Sequence, residues 1–446
     1  MDQFWRFSTN QDRGVAQQIT ARSIACRLLS PVAQHKMHTP ESLSLHFPDF
    51  VRISGEVLQG VVDIDVPLAL EDKIEDVKVK VRGSILTKFL ERETEWKGGE
   101  ARAESHLKTQ TLEVVRLDQT LWDQSNANGS GVLSCPFQFQ LPPNLPPSFH
   151  YDHKNRTVAI SYAIEVVGHR RGLLHSNRRV RKIFSVLPAG NAWEINSAAT
   201  LKQGWQGPWK PLELTKEIRH GILFGEYSEA TIQFLLPELN SLPTGVPIPF
   251  AFHVWTRTKP VHRKALEEKG DKLFPAPPTS PADVEFTLAL KGHLSVHGQR
   301  EHMEQDYEIK GSLGDEESVD AIRTIRDEPE WIPLPDHDDK GSWKRGVHFD
   351  GRFTITMPPS FAAATVEWNY FLRVKYDFPG PGNILELELP LQINSGFACP
   401  PLPMAPWEAD TPYTYPLPEG PPPMMTLPAQ VPAYWSGEHQ NWSEDD

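Results

Sequence analysis

Two distant stretches of this chain repeat one phrase, and the repeat limits what the chain can fold into. The first runs Phe137-Gln-Phe139-Gln-Leu141-Pro142-Pro143, then Pro147-Ser148-Phe149, then Val158, Ile160, Tyr162, Ile164 and Val166 at every second position. The second runs Phe353-Thr-Ile355-Thr-Met357-Pro358-Pro359-Ser360-Phe361, then Val366, Trp368, Tyr370, Leu372 and Val374. Apolar residues at every second position belong to strands with one buried face, and a Pro-Pro pair ends a strand. Each stretch therefore reads as strand, Pro-Pro-Ser-Phe corner and return strand. Their common order implies two copies of one β-domain.

The 446 residues suffice for two or three domains. A net charge of −13 argues against nucleic-acid binding, because neutralising phosphates needs a basic surface. The three cysteines, Cys26, Cys135 and Cys399, are too few and too scattered for a disulfide framework or a zinc site, so a reducing compartment is expected. Met1-Asp-Gln-Phe-Trp-Arg has no apolar run behind it, which argues against a signal peptide. No run of about 18 apolar residues exists to span a membrane.

Strands begin at Ser42, after a polar extension over residues 1–40. Val77, Val79 and Val81 alternate with Lys78, Lys80 and Arg82, giving one apolar and one charged face. Phe286, Leu288, Leu290, Gly292 and Leu294 echo Val77, Val79, Val81, Gly83 and Ile85, a second anchor for the duplication. If Gly245 matches Gly60, the second copy carries an insert at about 258–281. Residues 90–110 read as a loop or polar hairpin extension, and 311–345 as an acidic loop. Residues 191–215, with Trp193, Trp205 and Trp209, read as a linker. Residues 397–446 hold 12 prolines and 7 carboxylates with no Lys or Arg, a composition expected to be disordered. The expected fold is all-β: two tandem immunoglobulin-like sandwiches over 41–190 and 216–396, with a Pro-rich acidic tail.

Gly55 to Val66, the lysine-bearing strand ending at Gly83, the Gly129-x-Gly131 to Pro142 segment and Tyr162 to Val166 together resemble the α-arrestins, arrestin-domain-containing proteins common in fungi. The first copy resembles the arrestin N-terminal half and the second the C-terminal half. The resemblance implies a cytosolic adaptor without catalytic residues or cofactor. It would engage cytosolic segments of transporters or receptors, be recruited to plasma membrane or endosomes through that cargo, and bring in a HECT-type ubiquitin ligase by its tail. A ligase-independent trafficking or signalling scaffold of the same fold, coat-like, retromer-like or pH-sensing, is the alternative.

The family's tail motif is Pro-Pro-x-Tyr, which a WW domain grips by a proline and the tyrosine. The nearest match is Val431-Pro432-Ala433-Tyr434, in which valine replaces the first proline. The densest basic cluster is Arg170, Arg171, Arg178, Arg179, Arg181 and Lys182. It suits an acidic or phosphorylated partner, since guanidinium groups match phosphate bidentately, although a solvated hairpin face would look the same. In arrestins with phosphorylated cargo, an arginine in an apolar-Arg-Lys-apolar run belongs to a buried polar core. Val180-Arg181-Lys182-Ile183 matches that run, so the resemblance assigns the role to Arg181. His293 and His297 share a strand face but lie about 13 Å apart along it, with His302 beyond, so no metal site is expected unless the chain turns. No phosphate-binding glycine loop or catalytic elbow is present. Phe137, Phe139, Tyr162, Phe353, Trp368 and Tyr370 are expected in the core.

Overall fold

The computed structural model describes residues 41–97, 100–126, 131–172, 176–221, 227–309, 311–335 and 337–401. Residues 1–40 and the Val431–Tyr434 motif lie outside them.

The first copy runs β1 (Leu43–His46), β2 (Arg52–Ile53), β3 (Val57–Asp65), α1 (Val66–Glu71), β4 (Ile74–Lys97), β5 (Glu100–Asp123), β6 (Val132–Gln140), β7 (Phe149–His153), β8 (Arg156–Arg170), β9 (Arg178–Phe184) and β10 (Val186–Leu187). After α2 (Ala192–Gln203) and β11 (Trp209–Arg219) comes the second copy. It runs β12 (Tyr227–Pro237), β13 (Leu242–Pro243), β14 (Pro247–Arg257), β15 (Val261–His262), α3 (Ala265–Lys269), β16 (Glu285–Val296) and β17 (Gln299–Glu308). Then follow β18 (Arg323–Arg326), β19 (Glu330–Leu334), β20 (His337–Thr354), β21 (Phe361–Ala363), β22 (Val366–Asp377), β23 (Ile384–Leu391) and β24 (Ile393–Asn394).

The duplication holds strand for strand. Sheet β1-β3-β6 matches β12-β14-β20, and β5-β4-β8 matches β17-β16-β22. β7 and β9 lie end to end along β8 as β21 and β23 do along β22. The short parallel pair β10-β2 matches β24-β13. The second copy adds β11, β15, β18 and β19.

Inward residues of both sheets in each copy fill the core, and all six aromatic residues expected there are buried. Tyr162 is fully enclosed, and its hydroxyl donates to the Pro146 carbonyl at 2.7 Å. Burial alone therefore leaves no orphaned polar group at that ring.

The repeated corner has a specific hydrogen-bonding task. Ser148 N–H donates to the Val186 carbonyl at 2.8 Å, and Val186 N–H donates to Ser148 Oγ at 2.9 Å. Ser360 and Ile393 exchange the same two bonds, each at 2.9 Å. The serine thus pairs with the last strand of its copy as a further strand residue would.

The two corners also meet each other. Phe149 lies 5.4 Å from Phe361 and 4.3 Å from Trp368, centroid to centroid, and Tyr151 lies 5.2 Å from Trp368. Thr87 Oγ1 donates to Thr365 Oγ1 at 2.9 Å, and Arg156 Nε donates to Glu301 at 2.9 Å. Both sandwiches belong to one compact unit that begins at Ser42.

Several expectations need correction. Phe149 faces Ile160 while Phe361 faces Trp368, so Tyr162 corresponds to Tyr370, as the repeat implies. Gly83 lies opposite Tyr162, but Gly292 lies opposite Trp368. The two glycines are therefore two residues out of step, and Leu290 occupies the place of Gly83. Gly83 makes room for the Tyr162 ring, whereas Gly292 makes room for the end of Met303 and the Glu367 carbonyl. Gly245 (φ 70) enters β14 as Gly55 (φ 84) enters β3, so its counterpart is Gly55 rather than Gly60.

The expected linker contains the helix α2. Asn191 and Glu194 form a capping box at its start, and Ala198 and Leu201 are buried. Asn191-x-x-Glu194 is the sequence signal that could have revealed it. Residues 90–97 and 100–110 form the extension of the β4–β5 pair, and the acidic segment 311–345 supplies β18, β19 and the start of β20. The chain from Phe397 does not leave the fold at once. Gly190 N–H donates to the Phe397 carbonyl at 2.8 Å, and Phe397 and Cys399 pack on Ile53 and Leu187.

Candidate functional site: a charged sheet face

The outer face of β5-β4-β8-β9 is built by strand alternation. Val77, Val79 and Val81 are buried, which turns Lys78, Lys80 and Arg82 outward. Lys80 lies between Asp118 of β5 and Glu165 of β8, and Arg181 of β9 stands opposite Glu165. Arg82 faces Arg116 and donates to Asp118 at 2.6 Å. Lys78, Lys80, Arg82, Arg116, Asp118, Thr120 and His169 line an open depression of about 360 Å³.

Lys80 differs from its neighbours. It is half-buried and, among the described residues, has no ion-pair partner. Burial, then the Arg82 guanidinium, push its ammonium below the ordinary lysine value, while Glu165 and Asp118 pull the other way. A half-desolvated cation without a bonded partner is stabilised by an incoming anion.

The predicted basic cluster is divided among three places. Arg170 and Arg178 both bind Asp72 at the C-terminal end of α1, with Arg178 bidentate at 2.9 Å. Chiefly through Arg178, the Asp72 carboxyl is held down at about 2. Arg171 pairs with Glu75 at 3.0 Å. Arg179, at 3.5 Å from Glu165, and Arg181 point outward to the face just described. Lys182 points inward opposite Ile164 and donates to the Phe47 carbonyl at 2.7 Å. Arg181 therefore does not enter a buried polar core. It is exposed, because the inward position of the Arg-Lys pair falls on Lys182. The structure adds Lys78, Lys80, Arg82 and Arg116, whose alternation with valine was legible but was read only as a sheet face.

The matching face of the second copy carries the opposite charge. By strand register, Glu165 and Arg181 correspond to Arg373 and Glu388, and Arg179 corresponds to Glu386. Arg373 is ringed by Glu386 at 3.0 Å, Asp306 at 3.0 Å, Glu388 at 3.1 Å and Glu304 at 3.5 Å. One scaffold thus presents a face with cations to spare and a twin in which carboxylates outnumber them.

Residues 42–191 match the family model of the arrestin (or S-antigen) N-terminal domain. Over those residues, which hold the whole first sandwich, the chain is arrestin-like. The second sandwich repeats the same strand plan. A comparison with curated proteins found no match. Among the described residues, no helix is long and apolar enough to cross a membrane.

Proposed function

We propose that the protein is an arrestin-like trafficking adaptor that docks acidic or phosphorylated cytosolic segments of transporters or receptors on the outer face of its first sandwich. The charge inversion between the two homologous faces carries this reading. Two sheets of one design differ where a ligand would touch them, and the first offers a half-buried cation, Lys80, that has no ion-pair partner among the described residues. Carboxylates such as Asp118 and Glu165 between the cations favour discrete negative groups on an extended segment over a uniformly anionic surface. Binding of a phosphoserine peptide by the full chain is expected to weaken about tenfold or more in Lys80→Glu, the loss of a charge-assisted bond. Lys291→Glu on the second copy should have no effect. Equal losses from both variants would remove the site from the first face.

The tail supports the second half of the reading. Pro432 and Tyr434 would offer a WW domain of a HECT-type ubiquitin ligase its proline and tyrosine, and cargo held on the sandwich would be ubiquitylated and internalised. A long tail raises the ligase's local concentration at the cargo without further contacts. Ligase WW domains should capture the parent chain and not Tyr434→Ala. Equal capture of both would remove the role from Tyr434, and no capture of the parent chain would favour the ligase-independent scaffold, a reading that Val431 in place of the first proline also favours.

A further inference from the structure

His293, His297 and His302 were spaced too far apart along a single strand to share an ion. The turn between β16 and β17 rearranges them. His297 (φ 50) and Gly298 (φ 84) make the two-residue reversal that hairpin twist favours. His297 itself is used elsewhere: its N–H donates to Gln110 Oε1 at 2.9 Å, and its Nε2 lies 3.2 Å from the Thr109 carbonyl. His302 returns directly opposite His293.

The two rings are 4.4 Å apart, centroid to centroid, and inclined at 74°. Two imidazoles on one ion, with metal–nitrogen bonds of about 2.0–2.1 Å at tetrahedral or right angles, place their centroids roughly 4–5 Å apart. Both residues are exposed, and neither ring has a hydrogen-bond partner among the described residues. His253 and His348 stand at the same 4.4 Å separation, but there His348 Nε2 is engaged by Asp327 at 2.8 Å. Of these two pairs, His293–His302 is therefore the one whose nitrogens have no hydrogen-bond partner among the described residues.

Glu367 of β22 lies opposite His293 on the other side, so His302, His293 and Glu367 form a row across three strands. Glu367 now accepts from Asn369 Nδ2 at 2.8 Å and would turn from it to reach an ion. Among the described residues, no three ligating side chains are already closed around one point. The carboxylates of this face attract divalent cations. We propose that His293 and His302, completed by Glu367, bind a divalent transition-metal ion of the kind imidazole suits, such as Zn2+ or Cu2+, with coordination positions left open to water or a partner's ligand.

An inclined pair of rings is also an ordinary aromatic preference, so the test must detect the metal itself. The full chain with one equivalent of Cu2+ should show couplings to two imidazole nitrogens by electron paramagnetic resonance. His293→Ala and His302→Ala should each remove one coupling and abolish the tightest site in a Zn2+ titration. Glu367→Gln should weaken that site about tenfold. His253→Ala, whose pair is already engaged, should leave it intact. Persistence of the tightest site in both histidine variants, or its loss in His253→Ala, overturns the proposal.

Discussion

Ser148 and Ser360 show how one side chain can close a sandwich. Each replaces a missing strand residue by accepting a backbone N–H with its hydroxyl while its own N–H pairs with the same residue. Removing the hydroxyl leaves the buried Val186 or Ile393 N–H without that acceptor, and water does not readily reach it. Ser148→Ala should therefore cost about 1–3 kcal/mol of unfolding free energy, more than a surface Ser→Ala change, as read by denaturant titration. The Pro-Pro-Ser-Phe phrase was visible in the sequence. The serine's partner was not, because Val186 and Ile393 lie more than thirty residues downstream and pair through their backbones, which leave no side-chain signature.

At the scale of the element, period-two alternation made most strands legible, including the charged side of β4. What alternation cannot supply is register. Gly83 and Gly292 look equivalent along the chain, yet they face rings two positions apart. A Cβ at Gly83 would stand 2.6 Å from the enclosed Tyr162 ring and 2.7 Å from Val115, whereas one at Gly292 would meet the flexible end of Met303 at 2.9 Å and, less closely, the Glu367 carbonyl at 3.1 Å. Gly83→Ala should cost about 1–3 kcal/mol through overpacking, and Gly292→Ala less, because a methionine terminus can move. Thermal unfolding of the two variants side by side checks the order. Helix α2 was missed for a related reason. Its apolar side is only Ala198 and Leu201, too narrow to show a clear helical period, and it is stabilised as much by the Asn191–Glu194 cap as by burial.

For the whole molecule, the repeated corners are the place where the copies join. Phe149, Tyr151, Phe361 and Trp368 form one aromatic cluster drawn from both sandwiches, and Trp368 is 1% exposed. The sandwiches should accordingly unfold together in the parent chain. Trp368→Ala should lower stability by about 3–5 kcal/mol and separate the single transition into two, visible by calorimetry. One transition of unchanged midpoint would mean that the cluster does not couple the copies. The same duplication frames function. Cores and corners match, while outer faces differ in charge, so recognition can diverge without disturbing the fold.

The sequence by itself determined the β class, the duplication, the core residues and the presence of a basic segment, because strand period and turn residues are local properties. Only the tertiary structure decided which charges are free. Arg170, Arg171 and Arg178 are paired with Asp72 and Glu75, while Lys80, unremarkable in the sequence, is left half-buried and without an ion-pair partner among the described residues. Pairing across strands depends on register between residues far apart in the chain, and a one-dimensional pattern does not contain that distance.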